Sequence, residues 1–120
     1  MKTIDKLMMF HMAVDHMDEV KAFYTEKLGF KLVTDQPHDE KQRWIELRIG
    51  GSDTKVVLFT MDDSRIGSFA ATFACDNIAK TYQELRDRGV SFKTPLTEEP
   101  WGSFAVFEDV DGNQLMLSSK

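Results

Sequence analysis

Residues 7–34 decide the fold, and they read LMMFHMAVDHMDEVKAFYTEKLGFKLVT. Residues 7–14 form a short apolar run without glycine or proline, which predicts a buried strand. Asp15 is typical of a helix N-cap, and the apolar residues that follow it recur at helical spacing. Gly29 predicts the end of the helix, because glycine readily takes the positive φ that closes a helix. A short strand over residues 30–34 completes a strand–helix–strand unit.

The same order of elements recurs in the second half of the chain. Patterning predicts strands over residues 43–49, 55–61, 69–75, 90–93, 101–108 and 114–118, a helix from Asp76 to Gly89, and loops over residues 36–40 and 94–100. The pairs Asp15 and Asp76, Gly29 and Gly89, and Gly51 and Gly112 lie 60 or 61 positions apart. A fixed period of this kind indicates a structural repeat. We therefore predict an α+β fold of two tandem βαβββ units, residues 5–62 and 66–120, in one domain over residues 1–120.

The composition is that of a globular protein with an acidic surplus. Of 120 residues, 42% are hydrophobic and 29% are charged, and 20 acidic against 15 basic residues give a net charge of -5. No basic run is present, which argues against nucleic acid as a partner. The single cysteine, Cys75, excludes an intrachain disulfide and fits a reducing compartment. The apolar run at residues 7–14 is too short to span a bilayer and lacks a signal-peptide cleavage site, so we expect a cytoplasmic protein without a membrane partner.

Two motifs resemble a known family. Residues 23–30 read FYTEKLGF, and residues 99–102 and 107–113 read EPWG and FEDVDGN. With the tandem βαβββ pattern, they are similar to the glyoxalase, bleomycin-resistance and extradiol-dioxygenase proteins of the vicinal oxygen chelate superfamily. The usual DPDGN turn of the family has proline where this chain has Val110. The resemblance implies that each sheet curls into half of a cup with its helix on the convex side, and that two chains form a homodimer.

Strand alternation assigns residues to the two faces of each sheet. On the helix side we expect Phe10, Met12, Val14, Ile45, Leu47, Ile49, Val57, Phe59, Phe69, Ala71, Phe73, Ala105, Phe107, Leu115 and Leu117. Towards the cup we expect Met9, His11, Ala13, Trp44, Glu46, Arg48, Val56, Leu58, Thr60, Ala70, Thr72, Ala74, Phe104, Val106, Gln114 and Met116. The residues expected to bind a ligand are Met9, His11, Trp44, Glu46, Arg48, Leu58, Thr72, Phe104 and Met116, with Trp101 from the EPWG loop.

Many members of the family hold a divalent cation in the cup, and the resemblance implies four ligand positions. In this chain they carry Met9, Leu58, Ala70 and Met116. None of these supplies the imidazole or carboxylate that Mg, Mn, Ni or Zn prefers. We therefore expect no metal or other cofactor, which argues against a glyoxalase I or an extradiol dioxygenase. A shift of two residues on the first strand would bring His11 to the ligand position, where Glu46 could join it.

The polar and aromatic candidates each have two interpretations. His11 binds a ligand or acts as a general base, or it is a structural histidine bonded to a neighbour. Glu46 and Arg48 line a pocket for a polar ligand, or they form an ion pair at the rim. Flat rings bind planar or cationic ligands, or they fill the cup as core, and the rings concerned are those of Trp44, Trp101 and Phe104. Cys75 is expected to be a buried, inert thiol.

Three functions follow from these alternatives. The first is a metal-independent protein that binds or sequesters a small aromatic or cationic molecule, for example an antibiotic, in a dimeric cup. The second is a glyoxalase-type lyase or isomerase, or a dioxygenase, with a non-standard metal site or acid–base chemistry from His11 and Glu46. The third is an interaction module whose cup is packed shut by Trp44, Phe104 and Met116.

Overall fold

A strand, a helix and a second strand open the chain in the computed structural model, which describes residues 3–37, 43–60 and 64–120. Contacts divide the chain into two units, Met1–Asp63 and Ser64–Lys120. Each unit contains one four-stranded mixed sheet and one helical segment in the order βαβββ. The predicted α+β fold of two tandem βαβββ units is therefore confirmed.

The sheet of unit 1 consists of β1 (Met9–Val14), β2 (Lys31–Pro37), β3 (Arg43–Arg48) and β4 (Lys55–Thr60). Its spatial order is β1–β4–β3–β2, with β1 parallel to β4 and the other neighbours antiparallel. Helix α1 (Met17–Ala22) continues as a π-helical segment (Phe23–Lys27). Gly29 follows with a φ of 78°, as predicted for the residue that ends the helix.

The helical segment covers one face of this sheet. Tyr24 is fully buried, and its hydroxyl donates to the Sδ of Met12 on β1 over 3.5 Å. Leu58 on β4 is paired with Met12 on one side and with Ile45 on the other, so all three residues lie on this face. Burial of each such side chain contributes about 1.5–3 kcal/mol. This face is the core of unit 1.

Unit 2 repeats the arrangement with β5 (Ala70–Cys75), α2 (Ile78–Asp87), β6 (Phe92–Glu99), β7 (Gly102–Glu108) and β8 (Gln114–Ser119). The spatial order is β5–β8–β7–β6, with β5 parallel to β8. The ring of Tyr82 on α2 lies 4.5 Å from that of Phe92, which lies 5.4 Å from the buried ring of Phe107. These rings fix α2 on one face of the sheet.

Both helices begin one residue later than the sequence predicts. The N-cap of α1 is His16 rather than Asp15, without a side-chain capping bond. At α2 the side chain of Asn77, not Asp76, accepts a backbone N–H of the first turn over 3.2 Å. Asp76 instead forms an ion pair with Lys120. In the described part of the chain, no helix is long and apolar enough to cross a membrane.

The edge strands β2 and β6 continue into residues that the sequence pattern assigns to loops, and both are longer than predicted. β2 extends to Pro37 and β6 to Glu99. Pro95 is tolerated within β6 because this strand lies at the sheet edge and its register with β7 is irregular there. Residues 38–40 of the first predicted loop lie outside the described residues, as does Met61 at the end of a predicted strand.

The connection between β3 and β4 reverses the predicted faces of β4. It spans residues 49–54, one residue more than the 109–113 connection between β7 and β8. Because side chains alternate along a strand, one extra residue moves every following side chain to the other face. Val56, Leu58 and Thr60 lie on the core face, and Val57 and Phe59 lie opposite, so the prediction for β4 is wrong. The predicted faces of β1, β3, β5, β7 and β8 agree with the observed register.

The FEDVDGN motif ties the start of β5 to the connection between β7 and β8. Asn113 is fully buried, and its Nδ2 donates to the Oδ2 of Asp109 over 2.9 Å. The Oδ1 of Asn113 accepts the backbone N–H of Phe69 over 2.8 Å. The turn that precedes β5 approaches the motif closely as well, because a Cβ added to Gly67 would lie 2.7 Å from the carbonyl oxygen of Asp111. The motif therefore has a structural role in unit 2.

Candidate functional site

The face of the unit 1 sheet opposite the core carries five of the predicted site residues, and we call it the open face of unit 1. The strand register arranges its side chains in three rows across the four strands. The first row holds Ala13, Phe59, Trp44 and Gln36, the second holds His11, Val57, Glu46 and Thr34, and the third holds Met9, Lys55, Arg48 and Lys31. Successive rows are two residues apart along β1, β3 and β4, which is about 7 Å. On β2 a register shift between Leu32 and Thr34 places the third row three residues from the second.

Three rings cluster in the first two rows. The imidazole of His11 lies 5.5 Å from the Trp44 ring at an interplanar angle of 64°, and 6.2 Å from the Phe59 ring at 72°. Edge-to-face contacts of this kind are favourable between aromatic rings. His11 is exposed, and Trp44 and Phe59 are partly buried. The cluster therefore offers ring surface to a ligand from within unit 1.

Glu46 lies between the aromatic row and the third row. The Nε1 of Trp44 donates to the Oε2 of Glu46 over 3.0 Å, and the Nζ of Lys55 lies 3.5 Å from Oε1. Both carboxylate oxygens are thus engaged by neighbours. No hydrogen bond joins Glu46 to His11, which lies in the same row on the far side of Val57. The carboxylate fixes the indole rather than pairing with the imidazole.

The corresponding face of unit 2, which we call the open face of unit 2, is almost uncharged. Its rows hold Ala74, Ser118, Phe104 and Thr97; then Thr72, Met116, Val106 and Thr94; then Ala70, Gln114 and Glu108. A shallow depression of about 360 Å³ lies on this face, and its lining includes Thr72, Val106 and Met116. None of the side chains that line it is charged. The depression suits an uncharged, apolar group.

Trp101 extends the aromatic surface of unit 2. Its ring stacks on that of Phe104, with centroids 5.5 Å apart and an interplanar angle of 23°. Trp101 is nevertheless 64% exposed, so the stacking covers only one side of the indole. A large exposed ring next to a second ring is a typical binding surface.

The predicted ligand-binding residues fall into two groups, one in each unit. One predicted residue, Leu58, belongs to neither group. Five lie on the open face of unit 1: Met9, His11, Trp44, Glu46 and Arg48. Three lie on the open face of unit 2, namely Thr72, Phe104 and Met116, with Trp101 stacked beside Phe104. The position predicted for Leu58 is wrong, because this residue is fully buried in the core of unit 1.

Sequence reasoning missed Phe59 and Lys55 on the open face of unit 1. All the residues of β4 from Val56 to Phe59 are apolar, so alternation gives no contrast between its faces. The charge of Lys55 is the sequence feature that could have identified this face of β4. A lysine is almost never buried without a partner, so the face that carries Lys55 also carries Val57 and Phe59.

The residues at the four metal-ligand positions of the family do not fit a divalent cation. Met9, Ala70 and Met116 lie on open faces, and Val57 replaces Leu58 as the open-face residue of β4. Thioether and alkyl side chains offer no donor to a hard or borderline cation. Among residues 3–37, 43–60 and 64–120, no three His, Cys, Asp or Glu side chains are grouped so that they could hold a metal ion.

A cluster of charges on the other side of unit 1 has a structural role. Arg43 donates from Nε and Nη2 to the two carboxylate oxygens of Asp35, over 2.8 and 2.7 Å, and from Nη1 to Asp18 over 2.5 Å. The Nζ of Lys21 on α1 adds a 2.7 Å contact to Asp35. The hydrogen bond from Arg43 is the largest cause that holds the pKa of Asp35 well below its usual range. This cluster ties α1 to β2 and β3.

Cys75 is a free thiol at the end of β5, and it is buried, as predicted. Burial raises the pKa of the Cys75 thiol, with smaller opposing effects from its hydrogen bonds. Because the thiolate is the reactive form of cysteine, a raised pKa makes this residue a poor nucleophile.

Comparison with known proteins shows one family. The family model of the Glyoxalase/Bleomycin resistance protein/Dioxygenase superfamily matches residues 3–117. The uncharacterized protein YetH of Bacillus subtilis (strain 168) is 32% identical over 107 residues, which cover 87% of this chain and 89% of YetH.

Two solved structures from Streptomyces sp. CB03234 are also similar. The antibiotic binding protein TnmS3 has a TM-score of 0.88 and 30% identity, with 99% of this chain and 98% of TnmS3 covered. A glyoxalase/bleomycin resistance protein has a TM-score of 0.77 and 32% identity, with 92% of this chain and 96% of that chain covered.

Proposed function

This chain belongs to the glyoxalase/bleomycin resistance protein/dioxygenase superfamily, and from that premise we propose that it binds and sequesters a small aromatic or cationic molecule without a metal. The observation that carries the proposal is the ring cluster on the open face of unit 1. His11, Trp44 and Phe59 meet there edge to face, with Glu46 holding the indole. Flat rings attract planar ligands by stacking and cations through their negative faces.

The similarity to TnmS3 supports a binding role, because TnmS3 is an antibiotic binding protein and its fold covers nearly all of this chain. An antibiotic is therefore a natural class of ligand to test. The uncharged depression on the open face of unit 2 offers a second, apolar contact surface. Sequestration needs only such complementary surfaces, with no bond made or broken.

Metal independence is part of the proposal. It is supported by the side chains at the family's ligand positions, which are Met9, Val57 beside Leu58, Ala70 and Met116. A lyase, isomerase or dioxygenase reaction that used His11 and Glu46 together is less well supported. The carboxylate of Glu46 already accepts from Trp44 and Lys55, which leaves it poorly placed to share a proton with His11.

We also propose that the protein is a cytoplasmic homodimer. The dimer is the expectation from the family resemblance, and the free, buried thiol of Cys75 suits a reducing compartment. Light scattering on the protein as it elutes from a size-exclusion column would give its molecular mass in solution. A mass of one chain at micromolar concentration would contradict the dimer.

A thermal-shift screen tests the binding proposal. Planar aromatic and peptide antibiotics would be added one by one, and calorimetry would confirm each compound that raises the melting temperature. We expect at least one planar compound to bind, and His11→Ala to weaken its binding. His16→Ala is the matched control, because His16 is an exposed histidine at the start of α1. No binding by any compound, or equal losses in the two variants, would contradict the proposal.

A further inference from the structure

We infer that the molecule bound by the open face of unit 1 is an aromatic compound that carries an acidic group. This inference rests on the proposed function and narrows its ligand class. It starts from the third row of that face, where Lys55, Arg48 and Lys31 lie side by side on three neighbouring strands. A ring cluster occupies the first two rows of the same face.

The row concentrates three positive charges, and among the described residues only that of Lys55 has an ion-pair partner, Glu46 at 3.5 Å. Arg48 is directly opposite Lys55 on one side and Lys31 on the other, and like charges placed in this way destabilise a sheet. Arg48 and Lys31 are exposed, and neither forms an ion pair with any residue of 3–37, 43–60 or 64–120. An arrangement that costs stability in the free protein is relieved when an anion binds.

Around the row, the described acidic side chains are Glu46, Asp53 and Asp5, and all three are already engaged. Glu46 is the single carboxylate in the second row, and it is shared between Lys55 at 3.5 Å and the indole N–H of Trp44 at 3.0 Å. Asp53, in the connection beyond the row, faces Lys6 at 3.5 Å. Among the described residues, the guanidinium of Arg48 has no ion-pair partner on this face, and its planar fork suits a carboxylate or another oxyanion.

The spacing of the rows sets the shape of the ligand. Trp44 and Arg48 are four residues apart on β3, which is about 13 Å along the strand. The ammonium of Lys55 reaches back to the carboxylate of the second row, so positive charge extends to within about one row of the rings. A molecule with two aromatic rings and a terminal acidic group spans this distance. A cationic ligand in the same position would face the like charges of Arg48 and Lys31.

Three matched probes test the inference by calorimetry: biphenyl-4-carboxylate, biphenyl-4-carboxamide and biphenyl-4-ylmethylammonium. They share one ring system and differ in charge. We expect the carboxylate to bind about tenfold more tightly than the amide, as one charge-assisted hydrogen bond predicts, and the ammonium to bind most weakly. The preference should shrink as ionic strength rises, because exposed charges are screened by salt.

Charge-removing variants assign the preference to the row. Arg48→Gln and Lys31→Gln should each reduce the ratio of carboxylate to amide affinity towards one, because the loss of affinity falls mainly on the carboxylate. Lys80→Gln is the control, because it removes the same charge from an exposed position on α2 in the other unit. An equal fall of this affinity ratio in Lys80→Gln would mean a general effect of net charge and would overturn the inference.

The outcomes separate this inference from the function beneath it. Equal binding of all three probes, or tighter binding of the ammonium, would overturn the acidic ligand and leave aromatic binding in place. Failure of all three probes to bind would overturn both. A carboxylate preference that depends on Arg48 and Lys31 would support both.

Discussion

The indole N–H of Trp44 donates a 3.0 Å hydrogen bond to the carboxylate of Glu46, two residues further along the same strand. Alternation places these residues on one face in successive rows, and the bond holds the indole at 64° to the imidazole of His11. A ring held in this way has already lost its rotational freedom before a ligand arrives. Such preorganisation lowers the entropy cost of binding.

Removal of the Glu46 side chain should release the indole. In a Trp101→Phe background, where Trp44 is the remaining tryptophan, we expect Glu46→Ala to weaken the near-ultraviolet dichroism of the indole. Affinity for an aromatic ligand should fall about tenfold, while Glu46→Gln, which keeps an acceptor oxygen, should bind nearly as the parent does. An unchanged dichroism in Glu46→Ala would show that packing, not the hydrogen bond, orients the ring.

Leu58 and Phe59 are adjacent residues on opposite faces, so their substitution should have opposite effects. Leu58→Ala should cost about 2–5 kcal/mol of unfolding free energy in urea and leave affinity for an aromatic ligand unchanged. Phe59→Ala should cost less stability and weaken binding, because its ring faces His11. Leu58→Val is the milder variant if Leu58→Ala does not fold. Weaker binding in the Leu58 variants with none lost in Phe59→Ala would contradict the face assignment.

Charge contrast explains which parts of the structure can be predicted from the sequence. In β3, Ile45 and Leu47 alternate with Glu46 and Arg48, and their faces are predicted correctly. β4 offers no such contrast beyond Lys55, and an unrecognised extra residue in the preceding connection moves its side chains to the other face.

The other differences between the sequence-based prediction and the structure also have local causes. Pro95 suggests a loop, but an edge strand tolerates proline because the missing N–H faces no neighbour. The charge cluster of Asp35 and Arg43 joins residues from separate elements, and no sequence spacing marks it. The predicted candidate residues were mostly placed on the right faces, whereas their contacts with one another depend on side-chain geometry that alternation does not define.

The buried Asn113 should be among the most costly polar residues to remove. Asn113→Ala removes one hydrogen bond from the Phe69 N–H and one from the nearly buried Asp109 carboxylate. We expect the unfolding free energy to fall by about 2–4 kcal/mol. Asn77→Ala makes the same chemical change at an exposed N-cap and should cost about 1 kcal/mol. Urea unfolding of both variants measures the difference. Equal losses would show that the turn motif does not fasten β5.

Acid should weaken unit 1 through Asp35. Its pKa is lowered in the folded state by the hydrogen bond from Arg43, so the resulting stability is present above the unfolded pKa of about 4 and is lost as pH falls below it. We expect Asp35→Asn to lower the unfolding free energy by about 1.5–3 kcal/mol at pH 7. Between pH 5 and pH 3, the unfolding free energy of this variant should fall less steeply than that of the parent. Unfolding curves at several pH values test this.

Asp76→Asn is the comparison for Asp35→Asn, since the Asp76 ion pair with Lys120 is exposed and should leave the unfolding free energy unchanged within error. A parallel loss in both variants would mean that net charge, rather than the Arg43 contacts, controls the acid sensitivity.

Chelation should have no effect on the protein. After dialysis against EDTA, we expect the melting temperature and the affinity for an aromatic ligand to stay unchanged, because the family's ligand positions hold no suitable donors. Metal content per chain, measured by mass spectrometry before and after dialysis, completes the test. Stoichiometric metal whose removal lowers both quantities would contradict metal independence.

The extra residue between β3 and β4 has a consequence for how the two halves of the chain are compared with each other and with their relatives. An alignment that carries one half onto the other through this connection without a gap superimposes Leu58 on Ser118 of the open face and Phe59 on Ser119 of the opposite face. Substitution patterns across homologues would then report the wrong constraint at every position of β4. A gap between residues 49 and 54 restores the correspondence, and Val57 then aligns with Met116.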